Sequence, residues 1–472
     1  MELTQSFLDL LQHFGGVFTA PTFQTFVHIC SGWVVSQRHR FITDVIFSSG
    51  NVAKGHWARF HRFFSDASWN LDTLNMFLAI LVVKTLCPFG TLLFAVDDTL
   101  CRKRGLTIYG TGIHHDPLIS SRAMPLVSWG HDWVVLSILI VHPWWAPTKV
   151  FALPIAERLY KNRQGLTKGK NKKITSANST TPSTRKAKKT KAPADHRTRP
   201  QLAVELITLA ASWFPDRDIL VSGDSAYGGK SVLSQLPANV HLISHVHPKG
   251  ALYQPPPAAD QISSAGKKRR GPPRKKGDRL PGMSDWANDA TKPWTELTFD
   301  QFGLHATLLV KTQQALYYKA GGSRLLTIVL TRDKLGKRPD QMFYCTDLTW
   351  DVRQILATYA YRWAIECTFE NCKQFLGLED PANRVPLAVS RTAPMAFFLY
   401  SMIVVWFHSV GHQWLKFPER PWYTTKKEPS FADMLTTLRQ QSCDEITATL
   451  PLEQTQHKTW LTRITELLSR TG

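Results

Sequence analysis

"TLLFAVDDTL", residues 91–100, is an apolar run of six residues that ends in two adjacent carboxylates. It follows the helix-breaking Pro88-Phe89-Gly90 and is too brief for a helix, so it reads as a buried strand with Asp97 and Asp98 at its end. "DILVSG" (218–223) is a second strand of the same kind and runs into Asp224 of "GDSAYGG". In sheets flanked by helices, reactive groups gather at the carboxyl ends of strands. Asp and Gly are also ordinary turn residues, so neither end alone identifies a site.

Outward from these strands, residues 1–88 read as helical. "FTAPTFQTFVHICSGWVV" and "NLDTLNMFLAILVVKTL" carry apolar positions at mixed three- and four-residue spacing. "LTIYGTG" and "WVVLSILIV" (133–141) read as neighbours of the first strand, and "NVHLISHV" (239–246) as a neighbour of the second. Pro200 near its first turn starts a helix in "RPQLAVELITLAASWF". Residues 249–348 then switch to short alternating strands, "TELTFDQFG", "HATLLVKT", "ALYYK", "LLTIVLT" and "MFYCTD", an all-β insertion of antiparallel hairpins. Helix returns at 349–378 and is expected to end near Gly377. The expected division is therefore 1–88, 89–248, 249–348, 349–410 and 411–472, an α/β core interrupted by a β-rich insertion and flanked by helical ends.

Composition narrows the function classes. A hydrophobic content of 43% over 472 residues is globular. Seven scattered Cys without a CxxC pair indicate neither a disulfide scaffold nor a thiolate zinc site, and a reducing cytoplasm fits. The start Met1-Glu2 lacks the basic region of a signal peptide. "APMAFFLYSMIVVWF" (393–407) is too short for a bilayer and reads as a buried helix. The formal charge of +21 is concentrated. Residues 161–199 hold thirteen Lys or Arg against one acid, and 267–279 hold eight against one. Such stretches cannot bury a core, are expected to be mobile, and suit a polyanion such as duplex DNA or RNA.

The helix predicted over 349–378 contains "YAYRWAIECTFENCK" (359–373). On one continuous helix Tyr359, Arg362, Glu366 and Lys373 share an arc of about 60°. A solvated stripe with an i,i+4 ion pair gives the same pattern in isolation. With Asp98 and Asp224, however, Glu366 becomes a third converging acid, and three carboxylates repel unless cations lie between them. Mg²⁺ or Mn²⁺ suits such hard oxygen ligands, and two ions would serve both sides of a phosphodiester displacement. Arg362 and Lys373 would then face the phosphate backbone, with Tyr359 at the same edge.

The spacing Tyr-x2-Arg-x3-Glu-x6-Lys resembles that of bacterial insertion-sequence DDE transposases, and Tyr359, Arg362, Glu366 and Lys373 match every interval. "DDT" (97–99) resembles the family's first acidic strand end, where the Asp before Thr is the ligand, which points to Asp98. "GDSAYGG" resembles the second and points to Asp224. "GTGIHHDP", "GHDWVV" and "RPWY…EPSFADML" look like stretches of the DDE-endonuclease branch. The resemblance covers most of 90–440. It implies an RNase H-like core with a β-domain inserted before the Glu, and cut-and-paste cleavage of double-stranded DNA at element ends. It also implies 3′-hydroxyl joining to target DNA and assembly as at least a homodimer. A catalytically inactive DNA-binding descendant and a nuclease without strand transfer are the competing readings.

Other residues are weighed beside these. Glu370 is the alternative third acid, and Asp97 is read as supporting Asp98 or capping a turn. His114, His115, Asp116, His131 and Asp132 suggest a metal cluster at first sight, but loop histidines near strands are more often structural or phosphate-contacting. In "CRKRG" (101–105), Arg102, Lys103 and Arg104 are candidate phosphate contacts, with a solvated turn as the alternative.

Overall fold

A computed structural model describes residues 3–37, 39–50, 55–121, 123–162, 196–257, 274–417 and 425–448. The basic runs at 161–199 and 267–279, and the expected helical tail after 448, lie largely or wholly outside the described residues.

The apolar run at 91–96 is a strand, but it does not stop at the aspartates. Strand β1 spans Leu92–Arg102, and Asp97 and Asp98 lie in its middle. The reason is in the pairing. On one side β1 runs antiparallel to β3 (Val127–Val141), from Phe94↔Ile138 to Arg102↔Gly130. On the other it is parallel to β5 (Ile219–Gly223), but only from Leu92↔Ile219 to Val96↔Gly223. Asp97 is thus the first residue past the β5 pairing, and Asp224 follows directly on β5. The carboxyl end that matters is that of β5, and β1 continues beyond it.

The sheet has ten strands. β2 (Gly112–His115) and β4 (Val150–Tyr160) both pair with the free edge of β3, antiparallel and at successive positions. β6 (Val240–His245) is parallel to β5. Beyond it come β7 (Thr295–Gln301), β8 (Leu304–Leu316), β9 (Leu325–Asp333) and β10 (Gln341–Cys345). β10 bonds antiparallel to β6, and the order outward is β6-β10-β9-β8-β7. The antiparallel strands expected within 249–348 therefore extend the same sheet. "LTIYGTG" is mainly turn, because β2 starts only at Gly112. "ALYYK" splits between the end of β8 and a helical turn at Tyr318–Gly321.

Five helices precede the sheet: α1 (Gln5–Leu11), α2 (Ala20–Val35), α3 (Ile42–Ser49), α4 (Ala58–Ser65) and α5 (Leu71–Leu86). They share one apolar core with the sheet and with later helices. Helix α6 (Arg199–Trp213) packs on β3 and β4. The segment expected as one helix is two, α7 (Val352–Tyr361) and α8 (Trp363–Leu376). Around Arg362 the bonds tighten to i→i−3: Arg362 N–H donates to Tyr359 O at 3.2 Å and Ile365 N–H to Arg362 O at 3.0 Å. Tyr359 and Glu366 therefore lie on either side of a tightened turn at Arg362, which keeps helical dihedrals. Gly377, with φ +61°, ends α8 as a left-handed cap.

α9 (Pro386–Thr392), α10 (Pro394–Ser409) and α11 (Phe431–Ala448) complete the fold. The run 386–409 is apolar enough to cross a membrane, yet its hydrophobic window is 94% buried, which makes it a core helix. Phe14 meets Phe398 of α10 edge-on at 5.0 Å, and Trp33 Nε1 donates to Leu376 O at 2.9 Å. Thr4 N–H donates to Ser442 Oγ of α11 at 2.9 Å. The N-terminal segment is thereby fastened to α8, α10 and α11.

Candidate active site

Successive side chains of a strand leave opposite faces of the sheet, so Asp97 and Asp98 cannot share surroundings. Asp97 is buried and faces α7 and α8. Its Oδ2 is paired with Nη1 of Arg362, and its Oδ1 accepts the Asp98 N–H at 2.9 Å. Arg362 stands at the junction of α7 and α8, and its Nη1 lies 3.8 Å from Glu366 Oε1. Glu366 keeps 41% of its side chain exposed, against 11% for Asp97. Asp98 faces α6 instead. Its Oδ1 accepts the Tyr227 hydroxyl at 2.6 Å, and its Oδ2 lies 3.3 Å from Arg199 Nε.

Asp224 sits in the loop after β5. Its Oδ1 accepts the Ala226 N–H at 2.8 Å, and its carbonyl accepts Ser244 Oγ at 2.7 Å. The loop folds back closely because of its glycines. A Cβ on Gly223 would come within 2.9 Å of Tyr227 Cβ, and one on Gly228 within 2.3 Å of Ser244 Oγ. That close return is what carries the Tyr227 hydroxyl to Asp98.

The electrostatics join these elements. Burial pushes the Asp97 carboxyl well above the ordinary carboxylate range. Arg362 opposes this, while the charges of Glu366, Asp98 and Asp224 add to it. Arg362 in turn is held more firmly protonated by Asp97, Tyr359, Glu366 and Asp224, against its own burial. Asp97 thus feels the charges of Glu366, Asp98 and Asp224 together, and Arg362 joins it directly to Glu366. Glu370 is exposed and is not among the charges acting on Asp97.

Tyr359 is packed against Phe343 (ring centroids 4.8 Å) and His245 (4.9 Å), with the Arg362 guanidinium 5.8 Å from its ring centre. The two expected lysines have carbonyl partners. Lys373 Nζ donates to Leu100 O of β1 at 2.8 Å. Lys103 is buried and donates to Glu379 O at 2.5 Å and Pro381 O at 2.9 Å. Both fasten backbone. Of the residues in "CRKRG", Arg102 makes a two-bond pair with Asp116, at 2.7 and 3.0 Å. This pair, with Ser128, holds Asp116 down to about 2. His131 contacts Tyr109 O at 2.8 Å, and His114 Nδ1 lies 3.5 Å from Asp132 Oδ2.

Three carboxylates supply the hard oxygen donors that Mg²⁺ or Mn²⁺ prefers. An acid driven toward neutrality by burial and by neighbouring acids is also relieved by a nearby cation. By donor type Asp97, Asp224 and Glu366 suit a divalent ion. Among the described residues no three acid, imidazole or thiol side chains already form a metal-binding cluster. Arg362 is the cation among these acids.

Three contributors were missed in these roles: Tyr227 and Arg199, which were not singled out in the sequence, and Asp132, which was weighed there only within a possible metal cluster. Arg199 is the first residue of α6, and it meets Asp132 of β3 as well as Asp98. A Tyr three residues beyond Asp224 was the available signal for the first. Nothing local marks the other two, because their meeting depends on α6 packing over β3.

No curated protein matches the chain. The sequence profile of a DDE superfamily endonuclease family matches residues 14–316, a stretch that contains β1 with both aspartates, Asp224 and the sheet out to the end of β8, and that ends before Glu366. With well over half of its length covered by that profile, the chain belongs to the DDE superfamily endonuclease family.

Proposed function

We propose that this chain is a metal-dependent DNA transposase that cleaves strands at insertion-sequence ends and joins the freed 3′-hydroxyl to target DNA. One observation carries the reading. Acids from three separate stretches bear on one point: Glu366 of α8 and Asp97 of β1 meet at Arg362 Nη1, and the charge of Asp224, in the loop after β5, also acts on Asp97. The strand order β4-β3-β1-β5-β6, antiparallel up to β1 and parallel after it, supports an RNase H-like core. Strands β7–β10 fall between Asp224 and Glu366, where an inserted β-rich region is expected.

Asp224 and Glu366, with an acid of β1, would hold two Mg²⁺ or Mn²⁺ ions. Bound there, such ions activate a water or hydroxyl nucleophile and stabilise the leaving oxygen. The chain's own groups do the positioning. Arg362 has the planar fork that grips phosphate through two bonds, and Tyr359 braces it from beneath. Lys373 and Lys103 hold the backbone of β1 and of the segment after α8. The basic runs 161–199 and 267–279 supply non-specific affinity for duplex DNA. Pairing of two element ends calls for a homodimer on DNA.

The test is a joining assay with Mg²⁺ or Mn²⁺ on a DNA fragment carrying the sequences that flank the coding region. Products in which those flanking 3′ ends are covalently joined to target DNA are expected. Nicking without joining would leave a nuclease of the same fold. Binding without either would leave a DNA-binding descendant.

A further inference from the structure

We infer that Asp98, Tyr227, Arg199 and Asp132 form a positioning network on the far face of β1, and that Asp97 is the acid this strand presents to the reaction. The inference rests on the function proposed above and assigns its first acid.

The strand register separates the two aspartates. Asp98 lies opposite Val134, and Leu100 opposite Asp132, so Asp98 and Asp132 are diagonal neighbours on one face. Asp97 lies opposite Val135 on the other. Arg199 spans the first pair from α6. Its Nε donates to Asp132 Oδ2 at 2.6 Å and lies 3.3 Å from Asp98 Oδ2. The guanidinium is stacked 4.7 Å above the Tyr160 ring, which fixes its plane. Tyr227 closes the cluster by donating to the second oxygen of Asp98 at 2.6 Å. It is fully buried, and burial with the nearby acids keeps its hydroxyl protonated and therefore a donor.

Both acids have their oxygens engaged by the chain, but on different faces: Asp98 by Tyr227 and Arg199, from the Asp224 loop and α6, and Asp97 by its neighbour's N–H and by Arg362 at the junction of α7 and α8. Asp97 is joined to Glu366 through Arg362, whose Nη1 is paired with Asp97 and lies 3.8 Å from Glu366 Oε1. The network also connects three elements that must stay in register if Asp97 is to face Glu366: β1, the loop carrying Asp224, and the start of α6. Outer contacts of this type orient the groups that bind a metal and do not bind it themselves.

Titration with Mn²⁺ alone tests the assignment, in the full chain and in Asp97→Asn, Asp98→Asn, Tyr227→Phe, Arg199→Ala, Arg199→Lys and Glu366→Gln, with DNA-nicking rates beside it. Asp97→Asn and Glu366→Gln should lose Mn²⁺ binding. Asp98→Asn and Tyr227→Phe should keep the stoichiometry with affinity about tenfold weaker, and kcat should fall while KM for DNA holds. Because they share one hydrogen bond, the double variant should be little worse than Asp98→Asn alone. Arg199→Lys should recover part of what Arg199→Ala loses.

Loss of Mn²⁺ binding in Asp98→Asn with retention in Asp97→Asn would overturn the assignment. So would fully multiplicative effects of Asp98→Asn and Tyr227→Phe. If Asp97→Asn fails to unfold cooperatively on heating, the Asp98→Asn and Tyr227→Phe results decide between the same outcomes. Unchanged Mn²⁺ binding in every variant, Glu366→Gln included, would remove the metal-site reading as well as this one.

Discussion

Asp97 and Glu157 are both buried carboxyl groups of this sheet, and they differ in their surroundings. Asp97 on β1 has Arg362 paired to it and three further acids acting on it, one of them with a well-exposed side chain. Glu157 on β4 is 3% exposed and has one side-chain partner, Asn75 Nδ2 at 3.3 Å. Burial raises the pKa of both. A raised carboxyl therefore does not mark a reaction site by itself. What separates the two is direct pairing: Asp97 is paired with Arg362, which also reaches the partly exposed Glu366, whereas the charges of Arg158 and Asp72 act on Glu157 and its side-chain hydrogen bond comes from the neutral Asn75.

The difference can be broken first at Glu157, where the largest effect on stability is expected. Burial lifts its pKa from 4.5 to about 7. In that window the folded chain holds a proton that the unfolded chain has released, so stability falls as pH rises from about 4.5 to about 7. The interval of about 2.5 pH units, at about 1.4 kcal/mol each, is worth up to about 3 kcal/mol. Glu157→Gln should therefore stabilise the protein at pH 8, do little at pH 4, and leave DNA cleavage intact. Thermal unfolding at the two pH values, with a nicking assay, checks this. Loss of cleavage would mean that Glu157 belongs with the reaction site.

A smaller effect is expected at Lys373. Its charged bond to Leu100 O ties α8 to β1, and Lys373→Ala should cost about 2 kcal/mol in denaturant unfolding. The salt dependence of DNA affinity should not change. If Lys373 contacts phosphate instead, the log–log slope falls by about 0.9. That result would restore the lysine to the DNA side and leave β1 less firmly held than the geometry indicates.

Much of this arrangement was legible in the sequence where the signal is local. The strand before Asp224, the buried helix at 393–407, the Gly377 stop and the four-residue spacing on the way to Glu366 each follow from residues within a few positions of one another. Strand β4 escaped because Pro154 interrupts it. The chain accommodates that proline at a register shift opposite Leu136 and Ser137, where its carbonyl accepts the Ser401 hydroxyl at 2.8 Å. The extension of β1 past Val96 depends on β3, more than thirty residues away, which alone continues the pairing. The break at Arg362 carries no Gly or Pro to announce it. Asp98 was preferred to Asp97 because it stands before Thr99, as the family resemblance implies; which face of β1 meets Glu366 is set by tertiary packing and is not legible locally.

Nicking of supercoiled DNA in Mn²⁺ by the wild-type chain, Glu366→Gln and Glu370→Gln, each with its DNA affinity measured in parallel, tests the central claim most directly. Glu366→Gln should bind DNA as the wild type does and nick it roughly a thousandfold more slowly, about 4 kcal/mol at the transition state. Glu370→Gln should nick at close to the normal rate. Wild-type nicking by Glu366→Gln, or its loss in Glu370→Gln alone, would contradict the convergence of Asp97, Asp224 and Glu366 as the reaction site.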